Sequence, residues 1–217
     1  MVAALAATST GCASRERPDA THRSTDVALA AAVRVEAVGC LAKASIGAGS
    51  FVADEKVITV AHVVAGSDQV HVVLPDGSRV DAKVVAIDRR KDLAVLDVDV
   101  ETVPLRRGSM RPKARGTFVV YRDDRPVSMP FEAISFVDIN APDIDHGDSS
   151  LRRGYQLQAV VEKGDSGSVL VTDGVATGVV FARSTAAGGK AYAVDISEAD
   201  TLLAGAGNSS VDVGECV

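Results

Sequence analysis

Three short segments, far apart in the chain, carry residue types that work only in combination. They are Thr59-Val60-Ala61-His62-Val63-Val64, Lys91-Asp92-Leu93-Ala94-Val95-Leu96 and Gly164-Asp165-Ser166-Gly167. A hydroxyl is a weak nucleophile at neutral pH. An imidazole must take its proton, and a buried carboxylate must hold that imidazole in one tautomer. His62, Asp92 and Ser166 supply base, orienting carboxylate and nucleophile in that order along the chain. Gly164 lets the backbone bend so that its N–H and that of Ser166 converge on one point, an oxyanion hole for charge developing on a carbonyl oxygen. This is the chemistry of acyl transfer through a covalent intermediate, and it calls for no metal or organic cofactor. His22, His71 and His146 lack such a frame and read as surface residues. Asp88, Asp97 and Asp99 compete with Asp92, but the apolar run that follows favours Asp92. Ser168 lies on the nucleophile's own segment and faces the other way.

The elements that must hold these residues are strands. Short valine-rich runs alternate with turn residues over Phe51-Val52, residues 57–60, 70–74, 80–87 and 93–100. A second group covers residues 117–121, 129–139, 155–161, 168–171, 175–182 and 191–195, with Asp173-Gly174 as a hairpin turn. Strands at short spacing without long helices between them predict an all-β chain of barrels. His62 and Asp92 fall in the first group and Ser166 in the second, so the site is expected in a cleft between two β units. Residues 27–37 read as a short helix or a first strand, and residues 198–204 as a terminal helix. Residues 1–12 read as a targeting remnant, residues 13–26 as a flexible linker, and residues 27–217 as the folded domain.

The chain has 217 residues, 47% of them apolar and 24% charged, which suits a globular protein with a real core. Aromatics are scarce at 4%, so packing must come from branched aliphatics. A formal charge of −6, with no basic stripe, gives nucleic acid no support as a partner. No apolar run reaches the length of a membrane-crossing helix. Of the three cysteines, Cys12 follows a small-residue segment, where an exported lipoprotein carries its acylated cysteine. A lipid there would attach the chain to a membrane. Cys40 and Cys216 stand at the two ends of the folded region, where a bridge would tie them together.

These segments resemble the trypsin-like (chymotrypsin-fold) serine proteases. Gly47-Ala48-Gly49-Ser50-Phe51-Val52 followed by Val57 to Val64 is similar to the segment leading to the catalytic His, and Asp92-Leu93-Ala94-Val95-Leu96 to a strand of the HtrA type. Val161 to Gly167 and Gly178-Val179-Val180-Phe181 point to the HtrA/MarP-like periplasmic branch, which also carries a cysteine at each end of its protease domain, paired as a disulfide. The resemblance implies two antiparallel six-stranded barrels, about residues 33–110 and 111–200, with short N- and C-terminal helices. It implies an exported endopeptidase of the periplasm or cell envelope acting on peptides or proteins. By the same likeness Val160 lies at the base of the specificity pocket, Val180, Phe181 and Ala182 form the strand beside the substrate, and Arg183 its mouth. An apolar floor disfavours Lys or Arg, whose buried charge would be unpaired. Two departures stand out. Ser168 replaces the second glycine of the family's usual motif. No Ile-Val-Gly-Gly segment exists to supply the new N-terminus that pairs with the Asp before the nucleophile in animal members. Asp165 must therefore find another partner. The rival expectation is a latent protease-fold module that binds peptides or docks a partner at the cell envelope.

Overall fold

A computed structural model describes residues 20–39, 44–184 and 189–217. Twelve strands close into two barrels. The first holds β1 (Ala32–Val38), β2 (Ser45–Ala53), β3 (Lys56–Thr59), β4 (Gln69–Val73), β5 (Arg79–Asp88) and β6 (Leu93–Asp97) in the order β1-β2-β3-β6-β5-β4. It closes because β1 pairs antiparallel with both β2 and β4. The second holds β7 (Arg115–Arg122), β8 (Arg125–Pro142), β9 (Ser149–Gln158), β10 (Val169–Thr172), β11 (Val175–Arg183) and β12 (Lys190–Asp195) in the order β10-β11-β12-β9-β8-β7, closed by β10 against β7. Closure leaves no row of unpaired backbone groups at an edge. The expected two six-stranded antiparallel barrels are what the chain forms.

Valine fills the interior, as a chain poor in aromatics requires. Val33, Val35, Val57, Val60 and Val64 are wholly buried. One apolar cluster runs from these residues across to Val119, Val169, Val171, Val179 and Val194, so the seam between the barrels is itself core. A second cluster, around Phe118, Phe131, Leu157, Leu170 and Val180, fills the other end of the second barrel. Polar contacts add to the seam: the Tyr121 hydroxyl donates to the Ala32 carbonyl at 3.1 Å, and Arg34 of β1 pairs with Asp124 in the β7–β8 turn.

The helices correct one expectation. Helix α1 spans Ala20–Ala31, so residues 20–26 of the stretch expected as a linker are helical. Ser24, Ala28 and Ala31 are buried where α1 meets β2, β7, β8 and β10. Alanines are small enough to bring a helix onto the seam. Both readings of residues 27–37 hold in part, since the helix ends at Ala31 and β1 starts at Ala32. At the other end a 3-10 turn (Ile196–Ala199) leads into a short helix, Asp200–Gly205. Cys12 and Cys40 lie outside the described residues. Among those described, no helix is long and apolar enough to cross a membrane.

The barrels approach each other closely at Gly167. Its φ is +92°, and a β-carbon there would fall on the Ala48 carbonyl oxygen and the Thr59 hydroxyl. Gly77, at φ +88°, has nothing within 4 Å of such a position. Gly77→Ala should therefore cost about 1 kcal/mol for the left-handed backbone alone, while Gly167→Ala should cost at least about 3 kcal/mol, because backbone must also move. Urea unfolding of the two variants measures the difference; equal losses would contradict the packing described.

Candidate active site

His62 projects because its neighbours cannot. Strand β3 ends at Thr59, and the chain turns into a one-turn helix, α2 (Ala61–Val64), rather than continuing as the strand expected before His62. Ala61, Val63 and Val64 are buried, leaving the His62 side chain 33% exposed. Asp92 arrives from the tight turn between β5 and β6. Asp88 caps that turn by accepting the N–H groups of Arg90 and Lys91 at 3.0 and 2.9 Å, and Asp92 itself takes a φ of +57°. Asp97 pairs instead with Lys56. The Asp92 carboxylate is buried and binds His62 twice: Oδ1 accepts the backbone N–H at 2.9 Å, and Oδ2 meets ring Nδ1 at 2.8 Å. A carboxylate acceptor at Nδ1 puts the proton there and leaves the Nε2 lone pair free to accept one.

Ser166 sits in a loop anchored to both barrels. Its carbonyl accepts the Ala48 N–H of β2 at 2.7 Å, while the Gly167 N–H donates to Val180 of β11, also at 2.7 Å. A β-carbon at Gly47 would lie 2.9 Å from the Ser166 carbonyl oxygen and 2.7 Å from a Val63 methyl. The bare glycine thus lets the serine loop and the histidine helix close on the same stretch of β2. No Ser166–His62 hydrogen bond forms among the described residues; such bonds often tighten only with substrate present. Just upstream, Asp165 N–H donates to the Glu162 carbonyl at 3.2 Å, with Gly164 at φ +97°. Positive φ at the third residue of a closed turn is the type II pattern. Neither the Gly164 nor the Ser166 N–H is taken by a protein acceptor among the described residues. Ser168 is buried and donates to the Val119 carbonyl at 2.8 Å, which accounts for a serine in place of glycine.

The profile of the trypsin-like peptidase domain matches residues 47–182, the stretch holding all three segments. The chain belongs to the trypsin-like peptidase family. Among curated relatives of this peptidase, a probable DegP-like periplasmic serine endoprotease of Brucella suis is 30% identical over 69% of the chain and 30% of its own length. The serine protease Rv3671c of Mycobacterium tuberculosis is 31% identical over 79% of the chain and 45% of its own length. The chain thus spans less than half of either relative. The solved active form of the Rv3671c protease superposes with a TM-score of 0.83 at 26% identity, covering 99% of this chain and all of that one. An inactive form of the same protease gives 0.73 at 25% identity, over 88% and 96%.

In this trypsin-like peptidase the carboxylate of Asp165, next to the nucleophile, is buried and needs a cation. It has one. The Asp165 side chain is fully buried, and Arg122 of β7 grips it with both guanidinium arms, at 2.6 and 2.8 Å. The Glu162 N–H adds a third bond to Asp165, at 2.8 Å. The hydrogen bonds to Asp165 hold Arg122 above its ordinary value. Sequence reasoning missed Arg122, which lies 43 residues upstream of its partner. The nearest signal was negative: a buried Asp with no N-terminus to meet.

The pocket expectations need correction. Val160 is 58% exposed and so closes no enclosed floor, while Val180 is wholly buried in the second barrel's core. Both Ala159 and Val160 lie just past the end of β9, where Ala159 is buried and Val160 is not. Phe181 and Ala182 remain half-exposed on β11. His71 bonds to Asp81 at 2.8 Å, and His146 is exposed in the β8–β9 turn; neither approaches the His62–Asp92 pair.

Removing the Arg122 charge strands a buried carboxylate. Arg122→Met should lose about 2–3 kcal/mol, below the full cost of breaking a buried pair because the arginine is a third exposed. Adding Asp165→Asn should recover part of that loss, since a neutral amide needs no counter-charge. Urea unfolding of both proteins checks this, and a double variant no more stable than the single would contradict it.

Proposed function

We propose that this chain is a serine endopeptidase of the cell envelope that cleaves peptide bonds through an acyl-enzyme. The observation that carries this reading is the two-point grip of Asp92 on His62. In this reading the Nε2 lone pair faces Ser166 and is free to accept its proton. His62 takes the Ser166 proton as Oγ bonds to the scissile carbonyl carbon. The oxygen gains negative charge facing the N–H groups of Gly164 and Ser166, and His62 then passes its proton to the leaving amine. Water repeats the sequence to release the acyl group and restore Ser166.

The Gly164 turn and the Arg122–Asp165 pair support a site formed without a cut. So does the higher superposition on the active than on the inactive form of the Rv3671c protease. No observation favours the latent docking module. Phe181 and Ala182, the half-exposed residues of the strand beside the nucleophile, support a preference for a small or apolar residue before the scissile bond. Export to the periplasm or envelope is supported by the periplasmic name of the DegP-like relative. A lipid on Cys12 rests on the sequence pattern alone.

A fluorophosphonate probe should label the wild type and leave Ser166→Ala unlabelled, and only the wild type should digest a peptide library, cutting after small or apolar residues. Equal labelling would overturn the nucleophile; dominant cleavage after Lys or Arg would overturn the pocket.

A Cys40–Cys216 disulfide belongs to the same proposal. Cys216 Sγ lies 3.9 Å from the Gly66 carbonyl oxygen, and a β-carbon on Gly39, the residue before Cys40, would lie 2.9 Å from that same oxygen. Gly39, just after β1, and Cys216 thus both lie against Gly66. Mass spectrometry of a non-reduced digest should find the two peptides linked, and finding both thiols free would rule the bridge out.

A further inference from the structure

Arg152 of β9 is the arginine least expected from its surroundings. Its side chain is 3% exposed, and among the described residues no carboxylate accepts a hydrogen bond from it. Nε donates to the Arg90 carbonyl at 2.9 Å and one Nη to the Pro142 carbonyl at 2.8 Å. The other Nη stands 3.9 Å from Asp92 Oδ2, the oxygen that also meets His62. The guanidinium carbon lies 5.2 Å from the centre of the Phe181 ring. One side chain of the second barrel therefore touches the loop that carries Asp92, the long β8–β9 hairpin, and the strand that flanks the nucleophile.

Burying a guanidinium is costly, and burial does pull Arg152 below its ordinary value, opposed by Asp92, then Asp88 and Asp143. A hydrophobic residue would pack this seam at lower cost, so a charge in this place calls for a use. Asp92 is that use. Its carboxylate attracts a proton onto His62, and a second cation at 3.9 Å weakens that attraction. The other charged groups nearby are engaged elsewhere. Asp88 caps its turn, Asp143 accepts the N–H groups of Asp145 and Gly147, Lys91 pairs with Glu198, Arg89 pairs with Asp145, and Arg90 is exposed.

We propose that Arg152 is a positioning residue of the active site: it locks the Asp92 loop to the second barrel and, by sharing the Asp92 charge, sets the pH at which His62 takes up a proton. This rests on the catalytic reading of His62 and Asp92, and the test separates the two. A cation beside Asp92 disfavours the imidazolium, so its removal must raise the pH at which His62 titrates.

The experiment follows the His62 ring protons by NMR across pH in a Ser166→Ala background, and the pH profile of kcat/KM in otherwise wild-type enzyme. Arg152→Gln should raise both the titration midpoint and the acid limb by about one pH unit. A unit below the wild-type limb, activity should then fall about tenfold further. Arg152→Lys keeps the charge but cannot bond two carbonyls from a flat fork. Its acid limb should stay in place while kcat falls several-fold. A folded Arg152→Gln with unmoved titration and limb overturns the proposal. If Arg152→Gln does not fold, Arg152→Lys decides: a His62 titration within a few tenths of wild type upholds the charge role, and a shift of about a unit ends it. A wild type with no turnover, but with His62 shifted by Arg152→Gln, would sink the proposed function and leave the coupling standing.

Discussion

A charge taken out of water must be answered by another charge or by well-placed donors, and the two carboxylates of the site impose that demand here. Asp165 is wholly buried and Asp92 nearly so. Each is answered from a different part of the chain. Arg122 reaches Asp165 from β7, His62 reaches Asp92 from α2, and Arg152 backs Asp92 from the opposite barrel. The nucleophile loop therefore cannot relax independently of β7, nor the Asp92 turn independently of β9. Pairing of buried charge ties the site's geometry to the way the barrels sit together.

Small residues make that closeness available. Gly47 leaves room for the Ser166 carbonyl against Val63, and Gly167 lies where no side chain fits beside Ala48 and Thr59. Ala28 and Ala31 let a helix settle on the seam. A chain of valine, alanine and glycine gives up the large contact area of aromatic side chains. In return it gains short distances between backbones, and short backbone distances are what a divided active site needs.

The legible parts of the sequence were those that act locally. Short valine-rich runs between turn residues set the strands, and their spacing set the barrels. His62, Asp92 and Ser166 were legible because each lies in a short frame of residues whose chemistry has few other uses. Helix α1 was harder to read, since its first turns are polar and only a few small residues mark the buried face. Val160 was misplaced because counting back from a serine carries no information on burial, and the residue falls in the loop after β9. The two arginines could not be found at all. In sequence each is one basic residue among many; only the folded chain brings Arg122 to a carboxylate 43 residues away or buries Arg152 behind another. Charge compensation over such distances leaves no periodic trace.

The partner of Asp165 also bears on how such an enzyme could be restrained. Where an amino group freed by cleavage must fill that place, a cell can store the protein dormant and arm it with one cut. Arg122 is built into the second barrel, synthesised before the loop it holds, and present from the moment that barrel closes. For this one pairing the chain carries both partners itself, and no freed amino group has to travel to the buried carboxylate.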